Sequence, residues 1–315
     1  MMTEAEGIAV FRERLQDVVW LTEHSNKAPV LIIQQFPVSE TLAMQVPYVR
    51  ESISNVLAFV ELSTESALAE VLEAAAPVFR YFIMDADSKR SNSADLISVA
   101  KTLLKDKPLF FYHDNHTWAE SAIQLLQMLM GDLQGKRVWM KGHGGLFDAL
   151  RGKLGAWNVV WESEDSEPKA CDIIIGGSIR ERVFDQFDPI RMQPDSVLLD
   201  VGIGNFSPEV IKAAMGAGCK IYRVDVRGGL SAMVLSLLET HDLVTQVMGK
   251  TTINGVEMVA GGEMGSDGAI ILDHIQKPGA IIGVADGSGQ IRLPEEKDEK
   301  ALSFVNRLLN QENGN

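Results

Sequence analysis

KRVWMKGHGGLFDAL, residues 136–150, carries an apolar strand into Gly142-His143-Gly144-Gly145 and then directly into a helix. A strand that turns through glycines into a helix lets its backbone approach a ligand closely and points the helix's first N–H groups at it. The chain on either side repeats the strand–helix unit. Downstream, WNVVWE, CDIIIGG, SVLLDVGIG and CKIYRVDV are short, branched, apolar runs of the kind buried on both faces of a parallel sheet. Helical stretches LFDALRGKL, SPEVIKAAMGAG and GLSAMVLSLLETHDL accompany them, the second opened by Ser207 as N-cap and Pro208 at the first helical position. Upstream, VLIIQQ, NVLAFVEL, FRYFIMDAD and PLFFYHDN read as strands. They alternate with the helical patterns AVFRERLQDVVWLTEH, SETLAMQVPYVRESI, TESALAEVLEAAAP and SADLISVAKTLLKDK. Crossovers of this length join parallel strands, so the class is α/β.

Between the two runs lies HTWAESAIQLLQMLMGDLQG, a long helix in which Thr117 and Glu120 have capping-box spacing and Gly131 and Gly135 mark the end. Its LLQMLM stretch reads as core. The helix divides residues 1–117, an N-terminal α/β substrate domain, from 118–245, a second α/β domain carrying the glycine loop. Residues 246–315 change character: ten of the 27 glycines fall between Gly249 and Gly289. Asn254-Gly255 between β-rich flanks is a hairpin signal. GAIILDHIQKPGAIIGVADGSGQI reads as a second antiparallel pair turning at Lys277-Pro278-Gly279, and a charged helix closes the chain.

The 315 residues are 46% hydrophobic and 23% charged, ordinary globular composition, and Lys+Arg 29 against Asp+Glu 43 leaves a net charge of −14. That balance repels phosphate backbones and anionic lipid, which argues against a nucleic-acid or membrane partner. The start, MMTEAEG, is acidic and unlike a signal peptide, so the expected location is the cytoplasm. Cys171 and Cys219 form no CxxC pair and read as small buried hydrophobes.

Ligands of open α/β sheets bind beyond the carboxyl ends of the strands. Gly142, His143, Gly144 and Gly145 are there, as are Gly176 and Gly177 after CDIII and Gly202 and Gly204 after SVLLDV. The third glycine of a G-x-G-x-x-G spacing falls on Phe147, so the loop is a GxGG variant. Glu162 ends the next strand at 162 − 142 = 20 positions on, where a carboxylate binds both ribose hydroxyls and repels a 2′-phosphate. NAD is therefore the expected cofactor, with NADP the alternative, and plain glycine turns with a surface glutamate are the structural alternative. HDNH at 113–116 is the densest polar cluster near the cleft. His113 or His116 could exchange a proton with a carbonyl or imine, and Asp114 could bind substrate or tune a histidine. Its HxxH lacks the helical spacing of zinc pairs, so no metal is expected. Gln34, Gln35, Glu61, Asp85 and Asp87 also follow strands at the substrate end, with Lys89 the nearest cation; taken singly, each reads as a solvated loop residue or a cap.

These features resemble the two-domain Rossmann superfamily of methylenetetrahydrofolate dehydrogenase/cyclohydrolase, shikimate dehydrogenase and glutamyl-tRNA reductase. LMGDLQGKRVWMKGHGG is similar to their L-x-GK-x-V-x-V-x-G-x-GG entry, and APVLIIQQ with YVRES to the folate enzymes' first strand and Tyr-Val-Arg segment. ACDIIIGGS with MQPDSVLLDVGIG, and VRGGLSAMVLSLLET, resemble two further folate-enzyme segments. The resemblance covers about two thirds of the chain and implies a substrate domain, a helical connector and a compact Rossmann domain. Two positions depart from it. Ser52 stands at the spacing of the folate enzymes' catalytic lysine after Tyr48, and YHDNHT replaces their segment before the connector. The shikimate enzymes' Lys and Asp pair has no clean match, although Asp114 sits near where their Asp-containing segment enters the connector.

The expected function is an NAD(P)-dependent dehydrogenase acting on a small polar C=O, C=N or C–N compound in the interdomain cleft. His113, Asp114 or His116 would handle the proton, and Arg227 would pair with a substrate carboxylate. Two other readings stand beside it: a nucleotide-binding or assembly protein that has lost catalysis, and a non-redox transferase or lyase on the same fold. The glycine-rich hairpins, which could pair with another subunit's sheet edge, favour the binding or assembly reading; a homodimer is the expected assembly.

Overall fold

A computed structural model of the chain describes residues 3–36, 44–89, 91–162, 169–186 and 191–312. It divides into two compact units, Met1–Val234 and Leu235–Asn315. The first unit contains two mostly parallel sheets, each with its own apolar core.

The first half of that unit runs α1 (Glu4–Ser25), β1 (Ala28–Gln35), β2 (Met44–Gln45), β3 (Arg50–Glu51), β4 (Asn55–Leu62), α2 (Glu65–Ala75), β5 (Tyr81–Asp85), α3 (Ser93–Leu103) and β6 (Leu109–Tyr112). The sheet order is β2-β4-β1-β5-β6, parallel from β4 to β6, with the short β2 and β3 antiparallel to β4. Val30, Leu31, Ile32 and Ile33 at its centre are fully buried, as continuous apolar runs covered on both faces must be. The stretch expected as a helix through Pro47 is instead extended at Met44–Gln45 and Arg50–Glu51; residues 39–43 of it lie outside the described residues. Proline removes a helical hydrogen bond, and pairing with β4 supplies partners that a broken helix could not.

The connecting helix α4 (Asp114–Met130) starts three residues before the Thr117 capping box. The cap comes from elsewhere in the chain: Asp87 Oδ2 accepts from Asn115 N at 2.8 Å, and Asp85 Oδ1 from Asp114 N at 3.4 Å. Thr117 Oγ1 instead donates to the His113 carbonyl, and Glu120 pairs with Lys153 at 2.6 Å. Within LLQMLM, Leu126 is core while Met128 is 88% exposed.

After α4 come β7 (Arg137–Lys141), α5 (Gly144–Gly155), β8 (Val160–Trp161), β9 (Ile173–Gly176), β10 (Val197–Asp200), α6 (Pro208–Gly216), β11 (Lys220–Arg223) and α7 (Arg227–Asp242). The second sheet has the order β11-β10-β9-β7-β8, parallel throughout. The chain passes from β7 outward to β8 and then back to the other side of β7, which makes the carboxyl end of β7 a topological switch point. The Ser207 cap forms as read: its Oγ accepts from Val210 N, with Pro208 next. Cys171 is buried and Cys219 half-buried, both free.

The second unit carries β12 (Gly249–Ile253), β13 (Val256–Ala260), β14 (Ile270–Leu272), β15 (Ile281–Ala285), β16 (Ile291–Arg292) and α8 (Glu299–Glu312). Asn254 and Gly255, both at positive φ, turn the β12–β13 hairpin, and β14 pairs antiparallel with β15 across the Lys277-Pro278-Gly279 turn. Pairing of β13 with β14 is parallel, which joins the two hairpins into one sheet. Val305 and Leu309 of α8 share its core.

Candidate functional site

Parallel register brings the polar residues that end the first sheet's strands into one row. Gln34 lies opposite Glu61, and Asp85 opposite Tyr112. Over this row sits Lys89, from the loop after β5. Its Nζ is 2.6 Å from Asp114 Oδ2 and 2.8 Å from Asp85 Oδ2, and its side chain is 9% exposed. Asp114 also accepts from Gln34 Nε2 at 3.0 Å and Tyr112 Oη at 3.3 Å. Burial works to lower the Lys89 pKa, but Asp114 and Asp85 more than offset it, so the ammonium is held above its ordinary value. Burial pushes the Asp85 carboxyl up to about 6 against the pull of Lys89. Tyr112 is raised by burial, then by Asp114 and Asp85, and stays a neutral phenol.

Glu61 faces the same cavity, of about 90 Å³, across from Lys89 and Trp118. Arg180 Nη2 is 3.2 Å from Glu61 Oε2, yet burial still pushes that carboxyl up to about 7. Arg180 comes from the loop after β9, so the second sheet closes a cavity whose floor is the first. Its backbone has φ 51°, an uncommon conformation for a non-glycine residue, and its N–H donates to the Gly202 carbonyl at 2.6 Å.

The glycine loop lies at the rim. Gly142 has φ 148°, and a Cβ there would stand 2.8 Å from the Gly177 carbonyl carbon. His143 caps α5 without a side-chain bond to it; its Nε2 pairs with Glu181 at 2.9 Å, and its N–H donates to Ser178 Oγ at 3.0 Å. Two cavities meet at His143. One, of about 580 Å³, is lined by Gly142, Lys141, Trp161 and Glu162, with Arg151 over the Trp161 ring at 5.9 Å. The Glu162 side chain is 7% exposed, with Arg137 Nη1 at 3.7 Å. The other, of about 540 Å³, is lined by Gly144, Gly145, Asn115, Asp87 and Lys89. Each is within the size range of small-molecule pockets.

Of the residues singled out from sequence, Asp114, Gly142, His143, Gly144, Gly145 and Glu162 line these cavities. Gly202 lines the Lys89 cavity, but its missing side chain is accounted for by the Ser178 carbonyl packed against it, as that of Gly176 is by Asn205. Gly177 lies between Phe147 and the Lys141 carbonyl. His113 and His116 are exposed neighbours with ring centroids 5.8 Å apart, and His113 Nδ1 reaches Asp87 at 2.9 Å. Arg227 lines a different cavity, paired with Asp225. The residues that read singly as solvated, Gln34, Glu61, Asp85 and Lys89, converge instead. Only their common place at strand ends hinted at this, and Arg180 carried no signal beyond following Gly176-Gly177. Among the described residues no group of three or more His, Cys, Asp or Glu is arranged to hold a metal ion, and no helix is long and apolar enough to cross a membrane.

No protein-family model matches the chain, and no curated protein matches it by sequence. Among solved structures, a hetero-hexameric glutamate dehydrogenase from Thermus thermophilus is similar at 12% identity and a TM-score of 0.39, over 69% of this chain and 68% of that one. A shikimate dehydrogenase in complex with NADP+ is similar at 14% identity and a TM-score of 0.37, over 70% and 91%. The bifunctional methylenetetrahydrofolate dehydrogenase/cyclohydrolase from Campylobacter jejuni is similar at 12% identity and 0.34, over 73% and 93%. The α/β assignment rests on this chain's own strand order and register.

Proposed function

We propose that the protein is a nicotinamide-dependent dehydrogenase reducing a small polar C=O or C=N compound at Lys89. The observation that carries this reading is a buried ammonium clamped by Asp114 and Asp85 at strand carboxyl ends, beside the cavity that runs along the glycine loop. A bound nicotinamide would supply or accept the hydride. A carbonyl oxygen in the small cavity would face Lys89, which polarises it and gives up a proton as negative charge develops. Asp114 fixes the ammonium, and Gln34 and Tyr112 fix Asp114. The carboxylates keep Lys89 protonated at neutral pH, so it is present as a cation and proton source rather than as a base, which suits the reductive direction. Lys89 takes the proton role in preference to His113 and His116, since Asp87 engages His113 at the exposed start of α4.

Gly142, His143, Gly144 and Gly145 would hold the pyrophosphate, with Glu162 on the adenosine ribose and NAD preferred. We further propose the organisation 1–117, 118–245 and 246–315, and a homodimeric assembly. The test of the cofactor site is calorimetric titration with NADH and NADPH of the protein and of Glu162→Ala. Selective NADH binding, weakened in the variant, is the expected result. Equal binding of both cofactors, unaffected by the substitution, would remove Glu162 from the site, and no binding of either would remove the redox reading.

A further inference from the structure

A cavity of about 180 Å³ lies where β3 meets the loop between β11 and α7. Arg50 forms part of its wall, with its guanidinium over the Phe59 ring at 5.3 Å. Arg50 Nε and Nη2 are buried and have no hydrogen-bond partner among the described residues. Arg50 as a whole is half-buried, and the Phe59 ring face meets its charge without offering an acceptor to those two nitrogens. Burial pulls the Arg50 pKa down; Tyr48 acts the other way, Arg227 adds to the fall, and Asp225 opposes it.

Arg227 lines the same cavity and Asp225 is its partner. Two guanidinium groups against one carboxylate leave a single positive charge there. The remaining walls include Pro47, Val226 and Leu230, and Tyr48 stands at the mouth, 59% exposed. The walls suit an apolar stem and the charge suits a monoanion. Gln34 lines both this cavity and that of Lys89, and its amide donates to Asp114. Gln34 is thus a wall common to the Arg50 cavity and the Lys89 cavity.

We propose that this cavity binds a monoanionic carboxylate on a short apolar stem, with Arg50 and Arg227 as the recognising cations. The substrate of the dehydrogenase reaction is then a carboxylate-bearing carbonyl or imine compound, a clause that rests on the reading of Lys89 above. Charge-assisted bonds from a guanidinium to a carboxylate are the strong class of hydrogen bond, and a planar fork matches a planar anion.

The test is thermal unfolding of the full chain with butanoate, butanamide or inorganic phosphate, with no nicotinamide present, alongside a separate NADH titration. A ligand that binds only the folded state raises Tm with its concentration. Butanoate should raise Tm, its neutral isostere butanamide should not, and phosphate should act more weakly than butanoate. Arg50→Met should weaken the butanoate effect about tenfold or more, and Arg227→Ala, at an exposed position, should weaken it in the same direction without a folding cost. Both variants should bind NADH as the parent does. Equal stabilisation by butanoate and butanamide, or by butanoate in the parent and in both variants, overturns the site, and so does phosphate acting as strongly as butanoate. Butanoate binding without NADH binding would keep the site and sink the dehydrogenase reading; NADH binding without any butanoate effect would do the reverse.

Discussion

Lys89 and Glu61 differ in how strongly their charge is compensated. Two carboxylates hold Lys89 as an ammonium, whereas the pull of Arg180 and, more weakly, of Lys89 does not offset the burial of Glu61. Lys89→Met should lower kcat by about 10²–10⁴, the usual worth of a positioned acid, while NADH affinity is unchanged. Turnover persisting at the parent's rate would take the proton role from Lys89. Glu61 is pushed up to about 7 from 4.5, so the folded chain keeps a proton that the unfolded chain releases. Between those two pH values the folded state binds more protons, and stability falls as pH rises through the window. Asp85, raised to about 6 from 3.8, acts in the same direction over a lower window. Urea unfolding at pH 5 and pH 8 should show a smaller loss in Glu61→Gln than in the parent; an identical loss would mean that Glu61 titrates normally.

The loops after β9 and β10 depend on each other through Asn205. Its side chain is fully buried, accepts from Ser178 N at 2.9 Å, and donates to the carbonyls of Ser178 and Glu181 at 2.6 and 2.8 Å. Removing it leaves buried backbone groups unpaired, each worth about 1–3 kcal/mol. Asn205→Ala should therefore destabilise by about 2 kcal/mol or more in denaturant titration, and lower turnover too, since the same loop carries Arg180. A change within a few tenths of a kcal/mol would show that water replaces the amide. The start of α4 belongs to this scale as well. Thr117 and Glu120 have the spacing of a cap, but Asp85 at the end of β5 and Asp87 just after it accept the first N–H groups and draw the helix back to Asp114. That shift puts Asp114 on the first turn, facing Lys89.

For the molecule as a whole, separate apolar cores lie within Met1–Val234, and a core built on Met258, Ile270, Val284 and Val305 lies within Leu235–Asn315. A chain ending after Val247 keeps both parallel sheets and α7. It should unfold cooperatively and bind NADH as the full chain does; loss of binding with the fold intact by circular dichroism would assign the glycine-rich unit a part in the cofactor site. The net charge of −14 predicts no retention on an anionic exchanger matrix such as heparin at low salt.

The sequence alone determined the α/β class, the strand–glycine–helix at residues 136–150, the Ser207 cap and the Asn254-Gly255 hairpin. Each depends on residues adjacent in the chain, where periodicity and turn chemistry act. Only the tertiary structure decided the candidate centre. Gln34, Glu61, Lys89, Asp114 and Arg180 come from five segments, and none is buried or paired until parallel register aligns the strand ends and the second sheet's loops close over them. The edge at Met44–Gln45 and Arg50–Glu51 was decided there too, because β4 offers backbone partners that no local pattern encodes. Burial and pairing are properties of the assembled sheets, and a lysine whose partners lie 4 and 25 residues away reads in sequence as one more surface cation.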